Sequence, residues 1–208
     1  FENNASGSGQ RASLSLKILK EIPIYMPDIS IQRAIARVLS QLDEKIELNN
    51  KINAELEKLA KTIYDFWFIQ FNFPNKNGNP YRLSGGEMIY NPILKYDIPK
   101  GWEVLKLNDL LSANKSIYKG YKKNLYSIDL SIMPSKTMCL NERGRAENFK
   151  TNQFIMKKYD ILFGSIRPYL YKAGFAPFDG LVNGTIHCFS PKKEDDYSFV
   201  LLSMVSDR

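Results

Sequence analysis

One stretch limits the possible folds of this chain more than any other: residues 27–74, PDISIQRAIARVLSQLDEKIELNNKINAELEKLAKTIYDFWFIQFNFP. Ile35, Leu39, Leu42, Ile46, Asn49, Asn53, Leu56, Ala60, Ile63 and Trp67 step forward by alternating fours and threes. That is a heptad seam, repeating about every 3.5 residues, and not a simple 3.6-residue stripe. Pro27-Asp28 and Ser30 supply a helix start and Pro74 a stop. The predicted helix covers 29–72, and some 40 helical residues span about 60 Å. A small domain has no core that long, so the seam is expected to pair with another helix, from a second copy or from elsewhere in the same assembly. Asn49 and Asn53 within it lower stability but fix register and partner number. The bland alternative is a helix packed across its own domain.

Charge divides the chain more sharply than composition does. Residues 1–28 carry three basic and three acidic side chains, and 29–70 carry six of each. Residues 71–208 carry 20 basic and 13 acidic, which is the whole net charge of +7. Between 115 and 172, 12 basic residues face only four acidic ones (Asp129, Glu142, Glu147 and Asp160). The basic set is Lys115, Lys119, Lys122, Lys123, Lys136, Arg143, Arg145, Lys150, Lys157, Lys158, Arg167 and Lys172. Tyr118, Tyr121, Tyr126, Tyr169 and Tyr171 are interleaved with it. A solvated basic face is the plain alternative, but the neutral helix is an internal contrast, and concentrated charge of one sign marks a polyanion partner.

From Ile98 onward the chain reads as short β segments, Met133–Leu140, Ile161–Ser165, Tyr169–Ala176 and Thr185–Phe189, with helices near Leu107–Ala113 and Ser198–Ser206. Residues 12–28 read as a strand and a Pro-rich approach to the helix. Residues 73–97 read as a linker with turn signals at Asn75–Asn79 and Ser84-Gly85-Gly86. The expected class is α+β, a mixed α/β domain plus a long coiled-coil-type helix. The two cysteines, Cys139 and Cys188, have no paired spacing, fit a reducing cytoplasm and read as small buried hydrophobes. The N-terminal stretch has no apolar signal core, and Phe199–Val205 is too short to cross a bilayer, so a soluble cytoplasmic protein is expected.

Catalytic patterns are weak. No GxxxxGK[ST] loop occurs, and Asn91-Pro92 is followed by Ile93, unlike the Asn/Asp-Pro-Pro-aromatic loop of base-modifying methyltransferases. Asp28 and Asp43-Glu44-Lys45 superficially suggest a metal-dependent nuclease, but along one helix Asp28 and Asp43 stand about 20 Å apart and cannot converge. His187, the single histidine, lies in the apolar strand GTIHCF and reads as a core or edge residue.

Residues 22–71 resemble the helical spacer of type I restriction-modification specificity subunits, with the pattern PxPxxxxQxxIxxxLxxLDxKIxxN…LExLAxxLYxxWFxxF. Pro23, Pro27, Gln32, Ile35, Leu42, Asp43, Lys45, Ile46, Leu56, Leu59, Ala60, Tyr64, Trp67, Phe68 and Phe71 stand at matching positions. Pro80-Tyr81, Ser84-Gly85-Gly86 and Ile98-Pro99-Lys100-Gly101-Trp102 are similar to the family's linker and the opening of its target-recognition domain. YDILFGSIRPYLYKAGFA is similar to its GDILFSxIRPYLxKxxxA core. The resemblance implies residues 1–28 as the end of a recognition domain, 29–72 as spacer and dimerisation helix, 73–97 as linker and 98–208 as the domain's start and core. This order suggests a half-subunit with permuted ends, or a stretch from the middle of a two-domain subunit.

The resemblance further implies a non-catalytic subunit reading a bipartite site in double-stranded DNA. A methyltransferase subunit would hold S-adenosylmethionine, a motor-nuclease subunit would cut, and this chain would carry no cofactor or metal. Lys115, Lys119, Lys122, Lys123, Arg143, Arg145, Lys150, Arg167, Tyr169 and Lys172 are expected on the DNA face; Arg167 could instead brace the fold through a buried ion pair. Ser8, Gln10 and Arg11, in SGSGQR, either join that face or form a plain turn. Tyr64, Trp67, Phe68 and Phe71 exceed what one seam can hide and are expected to dock the methyltransferase, or to cap this chain's own core. An antiparallel homodimer through the long helix is expected. The competing readings are a coiled-coil dimerisation module whose basic domain binds RNA or another acidic partner, and a metal-dependent nuclease.

Overall fold

Asp28 starts the long helix as its sequence predicts. In the computed structural model its Oδ1 accepts the N–H groups of Ser30 at 2.8 Å and Ile31 at 3.1 Å, two of the four donors that a helix start leaves without intrahelical partners. The structure describes residues 15–120, 125–145 and 152–206. The chain divides into two compact units, Phe1–Asn50 and Lys51–Arg208.

In the first unit, α1 (Leu16–Lys20) replaces the strand expected within 12–28. The Ser15 hydroxyl accepts the Ile18 N–H at 3.3 Å and caps a short helix of good helix formers. Ile22–Pro27 is irregular, and α2 (Ile29–Tyr64) then begins. The heptad residues Ile35, Leu39, Leu42 and Ile46 are all exposed here.

In the second unit α2 runs to Tyr64 and widens into a π-helical turn over Asp65–Ile69. It does not wait for Pro74 to stop. Phe71 takes a left-handed φ of 60°, and the Asn72 N–H reaches back to the Phe66 carbonyl at 2.9 Å, a reversal made before the proline. The expected linker contains a hairpin, β1 (Met88–Asn91) against β2 (Tyr96–Pro99). Its turn is set by the Asn91 carboxamide, which accepts the Ile93 and Leu94 N–H groups, and by left-handed Lys95. The Asn75–Asn79 turn forms as read, with Asn75 Oδ1 accepting two backbone N–H groups and Gly78 at φ 78°.

Ile98-Pro99-Lys100-Gly101-Trp102 turns at Gly101, φ 87°, which delivers Trp102 onto Phe73 at 5.1 Å and Phe71 at 5.5 Å between ring centroids. The helix near Leu107–Ala113 is only α3 (Leu107–Leu110). Leu111–Asn114 becomes β3, because β10 (Ile186–Pro191) offers an unpaired edge and tertiary pairing overrides local propensity.

Two four-stranded sheets form the domain. One is antiparallel in the order β3, β10, β7 (Ile161–Gly164), β8 (Ala173–Phe175). The other orders β5 (Gly144–Arg145), β4 (Tyr126–Ile128), β9 (Gly180–Asn183) and β6 (Gln153–Met156), with β4 and β9 parallel. Ile128, Met156, Leu162, Val182, Ile186 and Cys188 pack in one core cluster. Ile161, Leu111 and Ala173 pack with Val200, Leu201 and Val205 of α4 (Tyr197–Val205) in a second. β7 is therefore buried on both faces, which is why Ile161-Leu162-Phe163 is a continuous apolar run.

Met133–Leu140, read as a strand, is a chain of turns. Pro134 has no N–H to give a ladder, Lys136 is left-handed at φ 62°, and only Cys139 bridges to β8. Tyr169–Ala176 keeps just β8 as strand, its first residues lying in a 3₁₀ turn, Pro168–Leu170.

Gly174 is where β8 passes closest to its neighbour. A Cβ there would meet the Met138 carbonyl oxygen at 2.5 Å. Gly174→Ala is expected to lower stability by about 1–3 kcal/mol through overpacking, read as a reduced urea midpoint with unchanged slope.

Candidate nucleic-acid interface

The clearest projecting feature is the loop Ser165–Lys172 between β7 and β8. Ser165 anchors it by donating both its N–H and its hydroxyl to the Thr185 carbonyl, each at 2.9 Å. Arg167 and Tyr171 bracket the 3₁₀ turn with φ values of 54° and 50°. Two left-handed residues without glycine are strained, and they hold the turn outward. Tyr169 is 68% exposed, Ile166 is 51% exposed, and Arg167 is exposed as well. The alternative of a buried ion pair for Arg167 fails, since its side chain faces solvent. Ile166 was not among the residues expected on the DNA face, although it is the isoleucine of the quoted IRPYL pattern.

Lys115 is exposed beside this loop's anchor, because it lines a groove with Gly184 and His187 and Thr185 follows in the same turn. Of the core-or-edge reading neither half holds for His187: it is exposed, belongs to neither core cluster, and lies on β10, which is paired on both sides. Lys119 is exposed. Arg143 and Arg145 lie exposed at the β5 edge, and the Arg143 guanidinium sits 4.1 Å from the Tyr126 ring centroid, a cation–π contact that orients it. Lys172 is corrected: half-buried, its ammonium donates to the Leu130 carbonyl and braces the loop's end. Ser8, Gln10, Arg11, Lys122, Lys123 and Lys150 lie outside the described residues.

The aromatic docking patch also changes. Tyr64 and Phe71 are buried, the first bonded to the Ser203 hydroxyl at 2.9 Å and the second against Trp102. Phe68 is half-buried against Phe199, at 4.8 Å between centroids. Trp67 alone of the four stays exposed, at 37%. Seam residues Leu56 and Ile63 are also exposed. The domain grips a different stripe, Glu57, Lys61, Tyr64 and Phe68, about 100° round the helix from the seam.

Glu57 is the polar centre of that grip; it stands at the glutamate of the LExLA pattern, but nothing in the sequence gave it a buried role. One carboxylate oxygen accepts the Thr137 hydroxyl at 2.5 Å; the other accepts the Met138 N–H at 3.0 Å and the Lys61 ammonium at 2.8 Å. Burial acts to raise its pKa, yet Lys61, Thr137 and Met138 together outweigh burial and hold it below the ordinary value. Elsewhere, buried Asp160 accepts the Lys157 N–H at 2.7 Å, the Ser190 hydroxyl at 2.6 Å and the Cys188 thiol at 3.1 Å, tying β7 to β10. Burial and that carboxylate push the Cys188 thiol up, so it stays a neutral thiol that packs in the core.

Comparisons with known proteins find likenesses over part of the chain. Residues 2–58 match the type I restriction modification DNA specificity domain. The MjaIX type I restriction enzyme specificity subunit of Methanocaldococcus jannaschii is 42% identical over 113 residues, 54% of this chain and 24% of that protein. Over these stretches the chain is similar to type I restriction-modification specificity subunits. The HindI specificity subunit of Haemophilus influenzae is 33% identical over 67 residues, 32% of this chain and 15% of the relative. The chain therefore spans only part of the specificity-family relatives it matches.

Among solved structures, the HsdS subunit from Thermoanaerobacter tengcongensis covers 98% of this chain and 49% of its own, at 13% identity and a TM-score of 0.41. A second, from work on complex assembly and conformational transition of the type I R-M system, covers 86% and 41% at the same identity and TM-score. Both likenesses are too loose to transfer residues. Among the described residues, no helix is long and apolar enough to cross a membrane.

Because the Glu57 pKa is depressed in the folded state, its contribution is present above the ordinary value of 4.5 and is lost as pH falls through the lower, folded value. Between about pH 5 and about pH 3 the melting temperature is expected to fall more steeply for the native chain than for Glu57→Gln, measured by circular dichroism.

Proposed function

We propose that this chain is a DNA-reading, non-catalytic specificity component that directs a methyltransferase and a restriction subunit to a bipartite site. The observation that carries the reading is the specificity-domain match at residues 2–58, joined to a basic domain whose Ser165–Lys172 loop projects Arg167 and Tyr169. Lysine and arginine on phosphates would supply sequence-independent affinity, and exposed polar and aromatic side chains on the loop would supply discrimination. Residues 1–28 are read as the end of a recognition domain, 29–72 as the spacer and 98–208 as the domain's start and core. A cytoplasmic location fits this role.

The α2 seam is the proposed pairing surface. The domain occupies the Glu57–Phe68 stripe, so Leu56 and Ile63 stay exposed, as do Ile35, Leu39, Leu42 and Ile46. Burying each such side chain contributes about 1.5–3 kcal/mol, a strong drive towards a two-fold antiparallel dimer. Trp67 remains the proposed methyltransferase contact, whereas Tyr64 and Phe71 serve this chain's own core.

Neutralising Lys115 and Lys119 together should weaken binding to all duplexes alike and flatten the salt slope by about one to two units, measured by fluorescence anisotropy. An unchanged slope removes both from the interface. Affinity confined to single-stranded RNA, or magnesium-dependent cleavage by this chain alone, would overturn the DNA-reading role.

Light scattering at tens of micromolar is expected to give twice the 24.0 kDa of one chain. A monomer under those conditions would sink the pairing of the seam.

A further inference from the structure

Lys136, Thr137 and Met138 touch the helix on one side and the projecting loop on the other. Towards the helix, Thr137 and Met138 donate to Glu57, and the Lys136 carbonyl accepts the Lys61 ammonium at 2.9 Å. Towards the loop, the Lys136 N–H donates to the Tyr171 carbonyl at 3.0 Å, and the Lys136 ammonium lies 5.4 Å from the centre of the Tyr171 ring. The Met138 carbonyl accepts the Phe175 N–H at 3.3 Å, so the same segment also holds the strand that follows the loop. Lys136 and Tyr171 are both left-handed, at φ 62° and 50°, a strained state that persists only where surrounding contacts over-determine it.

The apolar part of the helix grip, Tyr64 and Phe68 against Phe199, tolerates sliding because burial is not directional. The Glu57 carboxylate is directional. Its two oxygens take donors from successive residues, and charge-assisted bonds of this kind fix both rotation and height. We propose that Glu57 and Lys61 are positioning residues that lock the Ser165–Lys172 loop in register with the spacer helix. Arg167 and Tyr169 then stand at a fixed place along the ruler that the helix provides. This rests on the loop's reading as a DNA contact, since a ruler measures half-site spacing only if the reading element cannot drift against it.

Glu57→Ala, Glu57→Gln and Thr137→Ala, in the full chain, test the link by two independent readouts. The first is amide hydrogen exchange. Glu57→Ala should accelerate exchange of the Lys136, Leu170 and Tyr171 amides at least about tenfold, as loss of bonds to a buried charge implies, with β7 and α4 amides unchanged. Glu57→Gln and Thr137→Ala should give the same pattern at smaller amplitude, and they carry the test if Glu57→Ala does not fold. The second is affinity for a duplex selected from a randomised pool, against one mixed-sequence duplex. The selected duplex should lose about tenfold while the mixed duplex and the salt slope hold. Unaltered exchange at Lys136, Leu170 and Tyr171 overturns the link. So does acceleration spread evenly over β7, β10 and α4, which marks a merely structural role, as does equal loss on both duplexes. If the native chain binds neither duplex, the DNA reading fails, and the exchange pattern alone still decides whether Glu57 positions the loop.

Discussion

A buried carboxylate on the flank of the long helix organises this structure. Glu57 gathers a hydroxyl, a backbone N–H and an ammonium, and so converts the irregular Lys136–Met138 segment into a fixed part of the domain. That segment has no ladder of its own, because Pro134 and left-handed Lys136 forbid one. Apart from the helix it is held by backbone bonds with Phe175 and Tyr171 and by Met138 in the second core cluster. The helix is thus part of the domain's architecture over its last turns, and an appendage nowhere from Glu57 to Phe71.

The choice of stripe has a functional corollary. Glu57, Lys61, Tyr64 and Phe68 satisfy the domain, so Leu56 and Ile63 remain unpaired. A helix can serve two clients only if their stripes are separated around its circumference, and a one-residue offset separates these by about 100°. The π-helical turn at Asp65–Ile69 lets Phe68 and Phe71 reach the Trp102 cluster after the α-helical stripe has ended.

The domain places its rigid parts and its exposed parts in a regular way. β7 is buried on both faces, paired on both edges and tied to β10 through Asp160, so the loop that leaves it starts from a firmly held strand. Lys172 and the Leu130 carbonyl clamp its far end. Rigid strands with a braced projecting loop are the usual arrangement for recognition, because ordering costs are met by folding and not by binding. The positive charge is distributed around this scaffold, with Arg143 held over Tyr126 and Lys115 beside the Gly184–Thr185 turn.

Periodicity and punctuation were legible from the amino-acid sequence. The heptad seam, the Asp28 start, the Asn75–Asn79 turn, the doubly buried Ile161–Phe163 run and the helix at Tyr197–Val205 are written in local patterns of apolar spacing and capping. The resemblance to specificity subunits was legible for the same reason, since it rests on an ordered set of such patterns. What pairs with what was not. Leu111–Ala113 became strand because β10 needed an edge partner, Leu16–Lys20 became helix because Ser15 caps it, and Tyr64 and Phe71 went inward because Ser203 and Trp102 await them. Lys172 and Glu57 stand in the quoted patterns, but a string of letters does not say what either one touches. Only the tertiary structure brings a carbonyl 42 residues from one and a hydroxyl 80 residues from the other into bonding range, and burial then makes those contacts directional.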